Sequence, residues 1–278
     1  MTQFPTPGQF MGTAPAPLNG SSPWASRYAA DLKRIFHEQA ARAPRTLQEH
    51  LGPSELGVAC DRQVAGKFAA LPATNHVVDP WPSIIGTALH VWAVDALQGD
   101  NARHGMRWLT EFKVTPHPDH PGTADAYDGR EQAVVDHKFL GESSMAKVRK
   151  NPPRKYRVQL FLYGRGYINL GLKVNRVVLA AYPRTAASLD GLYVWEAPYD
   201  SAADDLLDFV FRQTLERRQW GERIVRGEAT LMDVPADPGE DAADECYFCP
   251  FYRPQAAKDG GLGCPGAGKS IHVAPSDP

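Results

Sequence analysis

One short stretch of the chain, GTADAYDGREQAVVDHKF, carries three aspartates, a turn signal and a lysine within a length that one β-hairpin spans. The pair Asp128 and Gly129 predicts the turn, because glycine tolerates the positive φ that tight hairpin turns need. Side chains alternate between the two faces of a strand, so a loop of two or four residues puts Asp125, Asp136 and Lys138 on one face. An odd number of loop residues would separate them.

These charges predict a site for a divalent cation. With a four-residue loop over residues 128–131, Asp125 lies opposite Val134, and Asp136 is its diagonal neighbour at roughly 7 to 8 Å. Two carboxylates so placed can share a hard cation such as Mg²⁺, while Lys138 would hold a positive charge beside a water or a phosphate oxygen. The alternative is an ordinary charged surface hairpin. The apolar residues before Asp136 disfavour it, because they predict a buried strand.

Four short motifs occur in order along the chain: GTALH at 86–90, GTAD at 122–125, DHK at 136–138 and QLFLY at 159–163. In this order they resemble the PD-(D/E)xK nuclease superfamily and, within it, the RecB-like exonuclease branch. The resemblance implies an α/β fold with a restriction-endonuclease-like core, in which a mixed central β-sheet is flanked by helices. It also implies hydrolysis of DNA phosphodiester bonds with Mg²⁺ or Mn²⁺.

The same resemblance implies roles for residues of the motifs. His90, Asp125 and Asp136 would bind the metal together with the backbone carbonyl of His137, and Lys138 would orient or activate the attacking water. Taken alone, a histidine in such a helix is more often a core residue. The downstream motifs are what favour the metal role.

The helix that carries QLFLY is predicted to face the substrate. Gln159 and Tyr163 lie four residues apart and therefore on one helical face, with Tyr156 about a turn earlier. The resemblance implies that this face contacts the substrate strand, and ordinary packing is the alternative for these residues. Glu111 is a candidate further carboxylate that the motifs do not place.

The cysteines divide into Cys60 near the start and Cys246, Cys249 and Cys264 near the end. They are too few for a secreted disulfide scaffold, so free thiols or metal ligands are expected. The division resembles the iron-sulfur nucleases of the same branch, which include CRISPR-associated adaptation exonucleases, phage RecB-like exonucleases and AddB, and implies a [4Fe-4S] cluster that joins the chain ends. Fourteen residues separate Cys249 from Cys264, a longer interval than in that pattern. A structural Zn²⁺ site is the alternative.

A run of cations precedes the QLFLY helix. The segment KVRKNPPRKYR holds six basic residues and no acidic one, and it predicts a surface that binds phosphates with salt-dependent affinity. A solvated loop around the two prolines is the alternative, and nearby tyrosines could stack on unpaired bases or pack in the core. The cations predicted to contact substrate are Lys147, Arg149, Lys150, Arg154 and Lys155.

Predicted helices and strands must bring these motifs together. Helices are predicted over 26–43, 54–68, 83–97, 154–168 and 201–227, with Ser54 and Ser83 as N-caps, and strands over 106–115, the two hairpin arms, 173–182 and 191–199. The predicted domains are a flexible tail at 1–25, a nuclease domain with an N-terminal helical region at 26–245, and a cysteine-rich module with a tail at 246–278.

Composition sets broad limits on function. At 278 residues and 43% hydrophobic content the chain can bury a sizeable core. Thirty basic against 32 acidic residues give a formal charge of −2, so nucleic-acid binding must come from a local patch. The sequence contains neither an export signal nor a membrane-spanning apolar run, which predicts a cytoplasmic protein, in the host cytoplasm if phage-encoded, without a membrane partner.

The prediction is therefore a metal-dependent DNA exonuclease of recombination, repair or phage DNA metabolism. Single-stranded ends are the favoured substrate by analogy with the family, and recombination or replication proteins are candidate partners. Two alternatives stay open. A non-catalytic DNA-binding recombination accessory protein would bind strands without cleaving them, and a zinc-stabilised interaction module would bind zinc and tolerate replacement of Asp136.

Overall fold

The computed structural model describes residues 22–42, 51–75, 79–237, 239, 242–256 and 262–267. Chain contacts divide the protein into two units, Met1–Leu47 and Gln48–Pro278. Residues 1–21 of the predicted tail lie outside the described residues, and the predicted boundaries at 25/26 and 245/246 stay predictions.

The first unit contributes helix α1, Pro23–Ala41. The Ser22 side chain caps it by accepting a hydrogen bond from the Ala25 N–H at 3.0 Å. The helix begins three residues before the predicted Ser26, because a serine cap followed by proline at the first helical position is a strong start signal.

The second unit holds the remaining elements. Its helices are α2 Pro53–Leu56, α3 Asp61–Phe68, α4 Trp81–His104, α5 Glu142–Lys150, α6 Arg154–Asn169, α7 Ser201–Val225 and α8 Ala242–Tyr247. Its strands are β1 Trp108–Val114, β2 Gly122–Asp128, β3 Ala133–Leu140, β4 Arg176–Pro183 and β5 Tyr193–Pro198, and 3-10 turns lie at Leu189–Gly191 and Leu231–Asp233. None of the helices within the described residues is long and apolar enough to cross a membrane.

The five strands form one sheet in the order β1-β2-β3-β4-β5. All neighbouring pairs are antiparallel except β3 and β4, which are parallel. A parallel pair needs a crossover connection, and α5 and α6 supply it. The predicted mixed sheet flanked by helices is therefore confirmed, as are its five strands, whereas α5 was not predicted.

Helices cover the sheet on both faces. Val134 of β3 belongs to the main core, which includes Val158 and Leu162 of α6. Val135, the next residue, belongs to a smaller cluster against which Leu97 of α4 packs. Because successive strand side chains point to opposite faces, α6 and α4 lie on opposite sides of the sheet.

The hairpin loop comprises residues 129–132, one position later than predicted. Asp128 stays in β2 because its buried carboxylate accepts hydrogen bonds from the Arg107 side chain and from the backbone N–H groups of Arg130 and Glu131. The loop still has four residues, so the predicted facing parity is kept. The register shifts, however. Extending the strand pairing by one residue places Asp136, rather than Val134, opposite Asp125.

The sheet opens into a fork between β2 and β3. Pairing between these strands runs from Asp128↔Ala133 to Ala126↔Val135. Beyond that point β2 continues beside β1 to Val114↔Gly122, and β3 continues beside β4 to Leu140↔Pro183. Asp125 and Asp136 are the next residues of their strands, so both lie where the fork begins.

Two predicted N-caps are wrong. Helix α2 begins at Pro53 with Gly52 in the cap position, and α4 begins at Trp81 with Pro80 in the cap position. Each helix has a proline in its first turn, where the fixed φ suits the helix and the missing N–H costs nothing. Helix α4 also continues past the predicted end at residue 97 to His104.

Candidate metal and nucleic-acid site

Three side chains from different elements converge at the fork. His90 comes from α4, Glu111 from β1 and Asp125 from β2, and one ligand atom of each lies within 4.8 Å of the others. The His90 Nδ1 atom is 3.6 Å from Asp125 Oδ2. Imidazole nitrogen and carboxylate oxygen are donors that Mn²⁺ accepts, and carboxylate is the donor that Mg²⁺ prefers. These three residues can hold a divalent cation.

Glu111 is held in an unusual backbone conformation. Its φ is +49°, a region that residues other than glycine seldom occupy. Its neighbours Thr110 and Phe112 pair with Ala126 and Ala124, which places Glu111 level with Asp125. Such a conformation costs about 1–3 kcal/mol and tends to persist where a site needs it. The sequence motifs could not place this residue, because its position depends on the β1–β2 register.

The Asp125 carboxylate is fixed by the backbone of the neighbouring strand. Its Oδ2 accepts a hydrogen bond from the His137 N–H at 2.7 Å, in place of a bond between strand backbones. The N–H and C=O of one strand residue point to the same side, so the His137 carbonyl also points toward the fork. This orientation suits the predicted role of that carbonyl as an oxygen ligand.

The His137 side chain has separate surroundings. Its Nδ1 lies 3.2 Å from the Tyr182 hydroxyl, and its buried Nε2 has no hydrogen-bond partner among the described residues. Burial lowers the pKa of His137 to about 4, so the ring is neutral at ordinary pH.

Asp136 and Lys138 form a buried ion pair on the α6 side of β3. Asp136 is fully buried, and its Oδ2 lies 2.6 Å from the Lys138 Nζ. Burial raises the pKa of Asp136 to about 6, although the lysine charge opposes the rise. The other oxygen, Oδ1, has no hydrogen-bond partner within the described residues. A buried carboxylate oxygen without a hydrogen-bond partner is suited to bind a cation.

Lys138 is held by the predicted substrate helix. Its Nζ donates to Gln159 Oε1 at 3.3 Å and lies 5.2 Å from the centre of the Tyr156 ring. Gln159 Nε2 in turn donates to the Tyr163 hydroxyl at 3.1 Å. The structure thus brings these α6 residues to the lysine, and they orient its ammonium group by hydrogen bonding and by the ring face.

Tyr167 lies one further turn along α6 and was not singled out from the sequence. It is fully buried, its ring centre lies 4.9 Å from that of Tyr127, and its hydroxyl has no partner among the described residues. Burial raises its pKa, and the nearby Asp125 and Glu111 carboxylates add to the rise. The spacing of four residues from Tyr163 was the signal available in the sequence.

The predicted basic segment spans the end of α5 and the start of α6. Arg154 donates to the Gly57 carbonyl at 2.9 Å and to Gln213, and Lys155 pairs with Glu245 at 2.9 Å. These two cations tie α6 to other parts of the chain.

The remaining cations of the segment differ in exposure. Arg149 and Lys150 are exposed, and Lys147 is half-buried. Arg149 also donates to the Gly191 carbonyl at 2.8 Å. These three are better placed than Arg154 and Lys155 to meet a phosphate chain in solvent.

The four cysteines form a second candidate site. Cys60, Cys246, Cys249 and Cys264 are all unbridged and buried, and they line one cavity. Burial raises the pKa of Cys60 and Cys246, and raises that of Cys249 to about 12. A metal ion or cluster would offset that cost, because its charge favours the thiolate.

Backbone contacts bring the last cysteine back to the other three. The Cys264 N–H donates to the Phe251 carbonyl at 2.6 Å, and the Arg253 N–H donates to the Cys264 carbonyl at 2.8 Å. The Cys249 N–H donates to the Cys246 carbonyl at 3.0 Å. The long interval before Cys264 therefore does not keep it from the cavity.

No family model matches this chain, and no curated protein matches it. Among solved structures, an alkaline exonuclease from Laribacter hongkongensis is 11% identical, with a TM-score of 0.45 over 65% of this chain and 91% of that chain. The same exonuclease in complex with dAMP is 15% identical, with a TM-score of 0.40 over 62% and 94%. A phage related exonuclease from Haemophilus somnus 129PT is 12% identical, with a TM-score of 0.40 over 61% and 82%.

Proposed function

We propose that this protein is a divalent-metal-dependent nuclease, and specifically an exonuclease that hydrolyses DNA, with single-stranded ends as its substrate. The observation that carries the proposal is the convergence of His90, Glu111 and Asp125 at the fork, beside the buried pair of Asp136 and Lys138. Hard donors, a partly open position and a fixed cation together suit phosphodiester hydrolysis.

Each group has a part in that reaction. His90, Glu111 and Asp125 hold Mg²⁺ or Mn²⁺, with the free oxygen of Asp136 and the His137 carbonyl as further donors. When bound, the cation supplies Lewis-acid polarisation of the scissile phosphate.

Lys138 supplies the fixed positive charge. Its ammonium group can orient the attacking water and steady negative charge on a phosphate oxygen. Asp136 keeps the lysine charged, because its neighbouring carboxylate offsets the cost of burying the ammonium group and raises the lysine pKa. Gln159 fixes its direction through the hydrogen bond from Nζ.

The DNA strand is proposed to pass along the α6 side of the fork. Arg149 and Lys150 would neutralise its phosphates, which makes binding weaken as salt rises. Recombination or replication proteins are the candidate partners. The preference for single-stranded ends rests on the motif resemblance.

The cysteine site is proposed to hold a [4Fe-4S] cluster, with Zn²⁺ as the alternative. Support comes from four buried thiols around one cavity, drawn from both ends of the second unit. The group would act as a structural staple, since sulfur donors suit both iron clusters and zinc. Metal analysis of anaerobically prepared protein, with its visible absorption, distinguishes the two.

The activity test uses end-labelled single- and double-stranded DNA with Mg²⁺, Mn²⁺ or a chelator. Asp125→Asn is the informative variant, because the asparagine oxygen can still accept the His137 N–H while the charge is lost. We expect cleavage in either metal, none with chelator, and a loss of about 10²–10³-fold in rate for the variant.

A matched control removes a carboxylate elsewhere. Asp205→Asn changes an exposed residue of α7 and should leave cleavage unchanged. Equal cleavage by Asp125→Asn and the unaltered protein, or cleavage that persists in chelator, would overturn the proposal.

A further inference from the structure

Arg62 lies in the wall of the cysteine cavity. It is the second residue of α3, two positions after Cys60, and its side chain is buried. The Nη1 atom donates to the Cys264 Sγ at 3.2 Å. A guanidinium from the first part of the second unit therefore contacts the last cysteine of the set.

The guanidinium is fixed by backbone carbonyls on its other donors. Its Nε donates to the Val234 carbonyl at 2.9 Å, and its Nη2 donates to the Met232 carbonyl at 3.1 Å. The Arg62 N–H also donates to the Pro235 carbonyl at 3.0 Å. The planar group has no freedom to turn without breaking these bonds, so the Nη1 donor stays directed at the sulfur.

The chemistry of this contact favours a ligand rather than a thiol. A neutral thiol is a weak acceptor, whereas a thiolate accepts a charge-assisted hydrogen bond from a cation strongly. The thiolate is also the form that binds metal. A buried, locked guanidinium beside one sulfur is therefore arranged for a metal-bound thiolate at that position.

Among the three C-terminal cysteines, Cys264 is the one most distant in sequence from the other two. Fourteen residues lie between Cys249 and Cys264, and five of them, residues 257–261, lie outside the described residues. Its backbone is tied to Phe251 and Arg253, and the Arg62 contact adds direct control of the sulfur.

We infer that Arg62 is a positioning residue that holds the Cys264 thiolate as the fourth ligand of the cysteine-bound metal centre. The inference rests on the proposed cysteine site and is independent of the nuclease site. Outer hydrogen bonds of this kind commonly change metal affinity by about 10- to 100-fold. For an iron-sulfur centre, a hydrogen bond to a ligand sulfur also raises the reduction potential.

The test compares full-length protein loaded anaerobically with iron and sulfide, or with zinc, in six forms. These are the unaltered protein, Arg62→Met, Arg62→Lys, Cys264→Ser, the double variant of Arg62→Met with Cys264→Ser, and one control variant. Metal per chain, visible absorption and the rate of metal loss to a chelator are measured. We expect Arg62→Met to lose its metal about tenfold faster or more, and Arg62→Lys to recover part of the retention.

The double variant separates positioning from a general effect on folding. If Arg62 acts through Cys264, adding Arg62→Met to the Cys264→Ser background should cost little further retention. Arg226→Met is the matched control, because Arg226 is an exposed arginine that pairs with Glu228 and does not line the cysteine cavity. It should retain metal like the unaltered protein.

The outcomes are distinct. Equal retention by Arg62→Met and the unaltered protein overturns the inference and leaves the cysteine site standing. An undiminished effect of Arg62→Met in the Cys264→Ser background also overturns it, because the arginine would then act elsewhere. Failure of the unaltered protein to hold either metal overturns both proposals.

Discussion

The fork and the cysteine cavity are two candidate metal sites of opposite character. At the fork, His90 and Asp125 keep 25% and 15% of their side-chain surface exposed, and Glu111 is exposed. At the cavity, every cysteine is buried and the donors are sulfur. An open site of hard donors leaves room for substrate and water, whereas a closed site of soft donors leaves none. Under the proposed function, the open fork would carry turnover and the closed cavity would add stability.

The two regions also differ in how well their polar groups are satisfied. The fork contains an unpartnered oxygen of Asp136, an unpartnered hydroxyl of Tyr167, both within the described residues, and a positive φ at Glu111. Each of these costs stability in the protein without ligand. At the cavity, the contacts of Arg62 and the backbone bonds of Cys264 hold the chain together. The polar groups at the fork are therefore less well satisfied than those that hold the cavity.

The largest expected effect comes from removing one sulfur. Cys249→Ser should lower the stability of metal-loaded protein by on the order of several kcal/mol, because metal binding to a structural site contributes directly to folding free energy. Thermal unfolding of loaded and stripped protein measures this. The stripped proteins should differ far less than the loaded ones, since the sulfur matters through the metal.

The same variant can break the comparison. Its cleavage rate per folded molecule should match that of the unaltered protein at a temperature where both are folded, because the cavity supplies no group to the fork. If Cys249→Ser loses cleavage while its melting temperature is unchanged, the division between the two sites is wrong.

The sequence predicted the fold well because its signals are local. Strand alternation and the Asp128–Gly129 turn located the hairpin, and the helical spacing of Gln159 and Tyr163 located α6. The hairpin loop lies one position later than predicted, and the partner of Asp125 therefore shifts by two residues, because Asp128 is retained in β2 by Arg107, a contact between residues 21 positions apart. No local pattern reports such a bond.

Long-range packing also explains what was missed at the site. The position of Glu111 depends on the β1–β2 register. The role inferred for Arg62 depends on its contact with a sulfur 202 positions away in the sequence. Arg154 and Lys155 stay predicted substrate contacts, and in the structure both also bond to distant parts of the protein. Charge alone does not distinguish a solvent-facing cation from a tether.

The second prediction is a smaller change in stability than that of Cys249→Ser, and it is an increase rather than a decrease. Tyr167→Phe should raise the stability of metal-free protein by about 1–2 kcal/mol, because it removes a buried hydroxyl without a described partner while keeping the ring. Urea unfolding measures the change. This variant tests the contrast between the fork and the cavity. A gain in stability on removing the Tyr167 hydroxyl would show that the region beside the fork is not optimised for folding.

Tyr127→Phe is the matched control for this prediction. The two rings are neighbours, but the Tyr127 hydroxyl donates to the Lys173 carbonyl at 2.6 Å. Its removal leaves that carbonyl without the bond and should lower stability by about 1 kcal/mol. Destabilisation of similar size by both variants would show that the Tyr167 hydroxyl has a stabilising partner.

The smallest expected effect is a dependence of stability on pH at a residue outside both sites. His120 is buried, its Nδ1 donates to the Leu51 carbonyl at 2.9 Å, and burial lowers its pKa below the ordinary value of 6.5. Above pH 6.5 the residue is neutral in both folded and unfolded chains, so its stabilisation is fully present. As pH falls below 6.5 the unfolded chain takes up the proton first, and stability declines by at most about 1.4 kcal/mol per pH unit.

His120→Asn, whose amide can replace the Nδ1 donor, should show a shallower decline in urea unfolding between pH 7 and 5. An unchanged slope would show that titratable groups other than His120 cause the decline.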